Sequence, residues 1–527
     1  MVRTGDGGAA FTFEAHSGRA IRAGGPTLVA LTEPAATAGA AQLPPQVPPQ
    51  GGRAPGPGAG PGAGPGAGPG AGPGAGPGAG PGAGPAPGPG SGPGSGAGFA
   101  EGILRRQGQR ESAARTYARS LPIVPVRARG LTIEGADGRR YLDCLSGAGT
   151  LALGHNHPVV LEAIRGVLDS GAPLHVLDLA TPVKDAFTTE LFANLPPALA
   201  ADARVQFCGP AGTDAVEAAL KLVRAATGRQ GMLAFTGAYH GMTAGALDAS
   251  GGAPDVRVTR LPYPQDHRCP FGIGGAQGAE LAARWTESLL DDPKGGVPAP
   301  AGMIVEPVQG EGGVLPAPDA WLRRMREITA ARGIALIADE VQTGVGRTGA
   351  FWGVDHAGVV PDVMVLSKAI GGSLPLAVVV YRAALDVWPP GAHAGTFRGN
   401  QLAMAAGTAT LAYVRENRLA ERAAALGERM MTALRGLAAA HSCIGDVRGR
   451  GLMIGVELVD PDTGAPAPAL AAAVREECLD RGLIIELGGR HSAVARLLPP
   501  LTLTDEQAAA VLDRLADAIP AAARRPR

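Results

Sequence analysis

The sequence carries no net charge, few aromatic side chains, five scattered cysteines and no long apolar run, and each shortage excludes something. Lys plus Arg equals Asp plus Glu, at 47 each, so nothing pulls the chain towards nucleic acid or an anionic membrane surface. Cys144, Cys208, Cys269, Cys443 and Cys478 are odd in number and far apart, which gives neither a disulfide framework nor a zinc spacing. No stretch approaches the roughly 20 apolar residues of a membrane span. The start MVRTGDGGAA lacks the apolar core of a secretory signal. The expectation is a cytoplasmic protein with no nucleic-acid or membrane partner.

Not all of the 527 residues can pack. From about Gly51 to Gly98 a Gly-Pro-Gly-Ala repeat has almost no large side chains, and such composition cannot offset its conformational entropy by burial. Its period of four excludes collagen, which needs glycine at every third position. Residues 1–105 are therefore read as a disordered tail, either a spacer or a tethering arm. The remainder suffices for a large domain and a smaller one. The expected division is 106–180 as the first part of a small α/β domain, 181–400 as a large domain, and 401–527 as the second part of the small one.

Three short apolar runs end in charged residues. Met303-Ile304-Val305 runs into Glu306, Ile334 to Ala338 into Asp339-Glu340, and Val363 to Leu366 into Ser367-Lys368. Runs this short and apolar read as strands buried on both faces, and in open α/β sheets chemistry gathers beyond the carboxyl ends of such strands. Glu306, Asp339 and Lys368 are thus expected in one crevice. A lone lysine after a strand is usually a solvated loop residue, and Lys368 by itself reads that way. Held in a low-dielectric crevice, however, its amine can lose its proton and attack a carbonyl. Pyridoxal phosphate needs such a lysine, a carboxylate on its pyridinium nitrogen and an anion site.

The anion site has a candidate upstream. Val205 to Cys208 is strand-like, Gly209 to Asp214 is a Gly-rich turn, and Ala215 to Ala226 is helical. A strand, turn and helix in that order aim free backbone N–H groups and the positive helix end at a phosphate, through Gly212 and Thr213. A plain helix cap by Asp214, with Glu217 three residues on, explains the same residues. Tyr239, at the end of the strand Leu233–Phe235, is either core filler or a platform for a planar ligand. His155 and His157 are too few and too close together to argue for a metal. Elsewhere the chain predicts a helix over Arg110–Ser120, an Asp-Gly hairpin over Ile133–Asp143, a helix over Pro158–Asp169, and alternating helices and strands from Gln401 onward.

The segments ADEVQTGVGRTG, LSKAIGG, EPVQGEGG and AYHG, taken together, resemble the class III, fold-type-I pyridoxal-phosphate aminotransferases, over roughly Arg110 to Ala518. The resemblance implies an α/β fold with a large, mostly parallel sheet. Lys368 would be the Schiff-base lysine and proton shuttle. Asp339 would pair with the pyridinium nitrogen, Val341 would pack behind the ring and Tyr239 in front of it, and Gln342 would bond the phenolic oxygen. Gly212 and Thr213 would hold the phosphate. Thr396 would reach the cofactor of a neighbouring subunit, which implies a homodimer with shared sites. Arg496 would clamp the α-carboxylate of glutamate or 2-oxoglutarate, and Glu311 would be the glutamate that gates that arginine. Within the class, GAGTLALGHNHP, PLHVLDLATPVKDAF and AYHGMT look most like diaminobutyrate–2-oxoglutarate aminotransferases. Ala148 and Met242 stand where ornithine-type members carry tyrosine and arginine. Other ω-amine donors, or a non-catalytic scaffold acting through its tail, are the rival readings.

Overall fold

The structure, a computed structural model, describes residues 96–251 and 257–525. All of them belong to one compact unit, Pro89–Arg527. The expected disorder of the tail lies outside the described residues except at its end, where a helix spans Gly96–Arg110. Phe99, Ile103, Leu104 and the arginines after them supply good helix formers that the Gly-rich start does not. The helix expected over Arg110–Ser120 is reduced to one turn, Tyr117–Ser120. The Ser112 hydroxyl takes the Ala114 amide at 3.1 Å, a local bond that competes with helix continuation.

The apolar runs become the middle of a seven-stranded sheet. Its spatial order is Ala203–Phe207, Val378–Arg382, Val363–Leu366, Ala335–Asp339, Gly302–Val305, Met232–Phe235 and Val258–Leu261. Val378–Arg382 is antiparallel to both neighbours; the other pairings are parallel. The central strands are buried along their length, which is why they read as unbroken apolar runs rather than alternating ones. Register aligns Ala338 with both Val305 and Met364, and Asp339 with Val365. Glu306, Asp339 and Lys368 therefore leave the sheet from three adjacent strands at one edge.

Helices cover both faces. On one side Gly212–Thr227 buries Ala215, Ala218, Ala219 and Leu222, and its small residues let it approach the sheet closely. On the other, Asp319–Ala331 buries Trp321, Leu322, Met325 and Ile328. Trp321, Phe235 and Tyr263 form an edge-on triad with ring centroids 5.1–5.8 Å apart, and the Tyr263 hydroxyl donates to the backbone oxygens of Glu306 and Leu315.

Two four-stranded sheets flank this core, beside a two-stranded ribbon of Val308–Gln309 with Leu315–Pro316. One orders Pro125–Arg129, Thr132–Gly135, Arg140–Asp143 and Leu483–Ile484. The other orders Ile444–Arg450, Met453–Leu458, Val494–Leu497 and Glu486–Gly488. The parallel pairing of Leu142 with Leu483 joins the chain before residue 180 to the chain after 401.

Candidate active site

A cavity of about 270 Å³ opens where the three strand ends meet, lined by Glu306, Asp339, Lys368, Gly212, Thr213, Tyr239, Val341, Gln342 and Glu311 among others. Lys368 is one of only four lysines in a chain with more than forty arginines. It begins a short 3-10 turn with a left-handed backbone, φ +52°. A non-glycine residue held there stores backbone strain, a feature that clusters at functional sites. Its side chain retains some exposure because it faces the cavity, while its amine is enclosed. Burial lowers the amine's pKa, and the nearby carboxylates of Glu311 and Asp339 oppose the fall without cancelling it.

Asp339 is held from behind. His240 Nδ1 lies 2.7 Å from Oδ2, and the Val341 amide donates to Oδ1 at 3.1 Å. Burial pulls His240 towards neutrality, but the hydrogen bond and charge of Asp339, with Glu306 beyond, more than reverse this, and its pKa is raised. Glu306, one strand over, accepts the amides of Tyr239 and Gly310 at 3.0 Å each. Burial pushes its carboxyl up to about 7. Glu306 thus buttresses the loop that carries Tyr239 and His240.

The helix Gly212–Thr227 points its start into the cavity. Its first residue is preceded by Ala211, which offers no side-chain cap. Asp214 turns back to accept the Ala211 amide at 3.1 Å. Glu217 does not share in this cap: it accepts the Gly245 and Ala246 amides at 2.7 and 3.2 Å, closing the start of the next helix. The amides of Gly212 and Thr213 have no acceptor in the chain among the described residues. A Cβ on Gly212 would stand 3.1 Å from Val341 Cγ1, so the turn and Val341 pack in contact.

Gln342 donates through Nε2 to the Ala148 carbonyl at 3.2 Å, while its buried Oε1 has no hydrogen bond. Tyr239 and Met242 stand exposed at the cavity mouth. Thr396 is not brought to this cavity. It lines a separate one with Leu177, Phe207 and Arg398. His155 bonds Asp143 at 2.7 Å, and His157 meets the Tyr413 ring edge-on.

Arg496 is fully buried. Its Nη2 lies 2.9 Å from both oxygens of Glu311 and 2.8 Å from Glu486 Oε2. Glu486 carries no signal in the local sequence: it sits on a short strand and meets Arg496 only through cross-strand register. His240 also went without a role in the sequence reading, since its partner lies 99 residues away. Two further residues of the long motif are structural. Glu340 accepts the Gly353 and Val354 amides at 2.9 Å each, and Arg347, fully buried, donates to the carbonyls of Leu452 and Pro499.

These groups fit pyridoxal phosphate. Free amides at a helix start suit a phosphate, a rigid carboxylate suits a pyridinium, and a desolvated amine suits an aldehyde. The unpaired polar atom of Gln342 lies between them on the cavity wall.

Comparison with known proteins agrees. Residues 113–519 match the family model for class III aminotransferases. A diaminobutyrate–2-oxoglutarate aminotransferase of Rhizobium meliloti is 54% identical over 434 residues, 80% of this chain and 92% of that protein. One from Haemophilus influenzae is 46% identical, over 79% and 94% of the two chains. Among solved structures, an amine transaminase from an uncultivated Pseudomonas species in its PLP-bound form is 31% identical, with TM-score 0.70 over 78% of this chain and 98% of that one. An ω-transaminase from Thermomicrobium roseum is 27% identical, with TM-score 0.72 over 80% and 99%. With the family model covering most of its length and relatives this similar over nearly their whole length, the chain belongs to the class III aminotransferases.

Proposed function

We propose that this enzyme moves the 4-amino group of L-2,4-diaminobutyrate to 2-oxoglutarate, giving L-aspartate 4-semialdehyde and L-glutamate, with pyridoxal 5′-phosphate as cofactor. The observation that carries the choice of donor is the 54% and 46% identity to two proteins of that name over more than nine-tenths of their lengths. Ala148 and Met242, in place of the ornithine-type tyrosine and arginine, agree with it.

When bound, the cofactor supplies an aldehyde to carry the amine and a ring to accept electrons. The chain does the rest. Gly212 and Thr213 would hold the phosphate with their amides, Val341 and Tyr239 would enclose the ring, and Gln342 would meet its phenolic oxygen. Asp339, fixed by His240 and Val341, would keep the ring nitrogen protonated. The Lys368 amine, its pKa lowered by burial, would take the proton from the carbon that bears the reacting amine and deliver it to the cofactor carbon that carries that amine away. Arg496 receives the α-carboxylate of 2-oxoglutarate once Glu311 swings away.

The enzyme is read as a cytoplasmic homodimer. No helix among the described residues is long and apolar enough to cross a membrane. Support for the dimer is a set of exposed apolar side chains, Leu174, Leu177, Leu179 and Phe397; Leu177 lines a cavity with Thr396 and Phe397 follows it in sequence, and grouped exposed apolar residues mark interaction surfaces. Thr396 then serves the partner's phosphate. The division into small and large domains at 180 and 400 keeps its sequence reading.

A donor panel with 2-oxoglutarate tests the function. Diaminobutyrate is expected to give the fastest glutamate formation, with aspartate 4-semialdehyde as co-product. Faster turnover of ornithine, acetylornithine or 4-aminobutyrate, or loss of the C2 amine, overturns it.

A further inference from the structure

Arg496 lies between two acids, Glu311 and Glu486. Glu311 approaches it from the cavity that holds Lys368. Glu486 approaches from the neighbouring strand, directly opposite in register. The Glu486 contact is short but misaligned. At 2.8 Å from Nη2, Oε2 still makes no hydrogen bond, and Arg496 Nε and Nη1 have no partner either. Glu311 keeps 34% of its side chain exposed and Glu486 only 11%, so it is Glu486 whose charge is buried without full compensation, which is costly to keep.

Glu486 also lines a second cavity, of about 470 Å³. Its walls include Tyr117, Arg119, Arg475 and Leu145. Burial and the carboxylate of Glu486 hold the Tyr117 phenol in its protonated form, as a donor towards that carboxylate. Arg475 Nε is buried without a hydrogen bond. The cavity wall therefore carries both an under-satisfied anion and an under-satisfied cation, the complement of a zwitterion.

A diamine donor needs such a complement. When its terminal amine reacts at Lys368, its other end is an ammonium and a carboxylate on one carbon. 2-Oxoglutarate has two carboxylates and no ammonium, so the same acid that attracts the donor repels the acceptor. Given the proposed donor, we infer that Glu486, oriented by Tyr117, binds the non-reacting α-ammonium of the diamine while Arg475 takes its carboxylate. Glu486 is then the residue that separates diamines from monoamines, and Arg496 remains with the acceptor.

The test is steady-state kinetics on the holoenzyme, in which kcat/KM for each substrate of a ping-pong reaction reports its own half-reaction. Glu486→Gln is expected to lower kcat/KM for L-2,4-diaminobutyrate by about 10- to 100-fold, the scale of one hydrogen bond to a charged group. The value for 2-oxoglutarate should change far less, or rise. Preference for diaminobutyrate over 4-aminobutyrate, which has no α-ammonium, should fall by a similar factor. Glu486→Asp, which keeps the charge, should recover part of that preference. Equal losses for donor and acceptor would mean that Glu486 only holds Arg496, and overturn the inference. If Glu486→Gln fails to fold or to bind cofactor, Tyr117→Phe carries the same test, with a selective donor loss expected and an unchanged donor-to-acceptor ratio counting against the assignment. Failure of the wild type to use diaminobutyrate at all sinks the proposed function instead, and is seen before any variant is made.

Discussion

His240 Nδ1 stands 2.7 Å from Asp339 Oδ2 with both side chains sealed from water. The second carboxylate oxygen is taken by the Val341 amide, so Asp339 cannot rotate. An ionised Asp339 makes His240 the donor, and the imidazole's other nitrogen is left without a partner. The histidine positions the carboxylate and balances its charge.

Asp339→Asn should therefore cost about 10²- to 10³-fold in turnover, the scale for losing one preorganised charge partner, and should weaken cofactor affinity. His240→Ala should cost less, about tenfold, because the Val341 amide still anchors one oxygen. Titrating cofactor into apoenzyme and measuring turnover checks both. A His240 variant as damaged as Asp339→Asn would contradict the assigned roles.

Lys368→Ala should abolish the visible absorbance of lysine-bound pyridoxal phosphate and lower turnover by at least about 10³-fold. Lys368→Arg, which keeps a cation but supplies no neutral amine, should do the same. The depressed pKa of Lys368 adds a pH signature. Reconstitution of apoenzyme should quicken as pH rises, with a midpoint below that of an ordinary lysine. Activity within tenfold of wild type in either variant would overturn the role.

How much of this was legible in sequence follows from what each residue depends on. Lys368, Asp339 and Glu306 terminate apolar runs, and burial on both faces wrote those runs plainly. The helix Pro158–Asp169 was equally clear, with its proline at the start and apolar residues in phase. Pairings between distant segments were not legible. Asp339 with His240, and Arg496 with Glu486, depend on strand order and register that no local pattern encodes. Strand direction was hidden for the same reason: Val378–Arg382 reads as a buried strand whether it runs parallel or antiparallel. Glu217 shows a local rule losing to tertiary context, since its spacing suits a cap on its own helix and its carboxylate serves another.

Stability should depend on pH with a sign unusual for carboxyls. Burial raises Glu306 and Glu340 from 4.5 to about 7. Across that window the folded chain binds more protons than the unfolded one, so stability falls as pH rises. Their contribution is fully present below about pH 4.5 and lost as pH passes about 7, at up to roughly 3 kcal/mol for a shift of this size. Glu340→Gln isolates one of them, because it cannot ionise. The difference in Tm between wild type and this variant should shrink as pH rises through the window. A difference that widens would show that Glu340 is held as a stable anion by its amide donors.

Gly241 joins the two halves of the cavity wall, and substituting it should separate them. Its φ is +123°, outside the range that residues with a Cβ adopt readily. A Cβ there would fall 2.3 Å from Thr213 Oγ1 and 3.0 Å from Thr213 Cα. The hydroxyl could turn away, but the Cα belongs to the backbone of the helix start and cannot. Gly241→Ala must therefore push the loop carrying Tyr239 and His240 away from the amides of Gly212 and Thr213. We expect a loss of about 2 kcal/mol in stability from strain and cofactor binding at least tenfold weaker, because the groups that enclose the ring move apart from those that hold the phosphate. Gly228→Ala is the matched control: its φ is +69° with nothing within 4 Å of the added carbon, at the far end of the same helix. It should cost about 1 kcal/mol and leave cofactor affinity unchanged. If both variants lose stability but neither loses cofactor, the contact between Gly241 and Thr213 is packing alone and contributes nothing to the phosphate site.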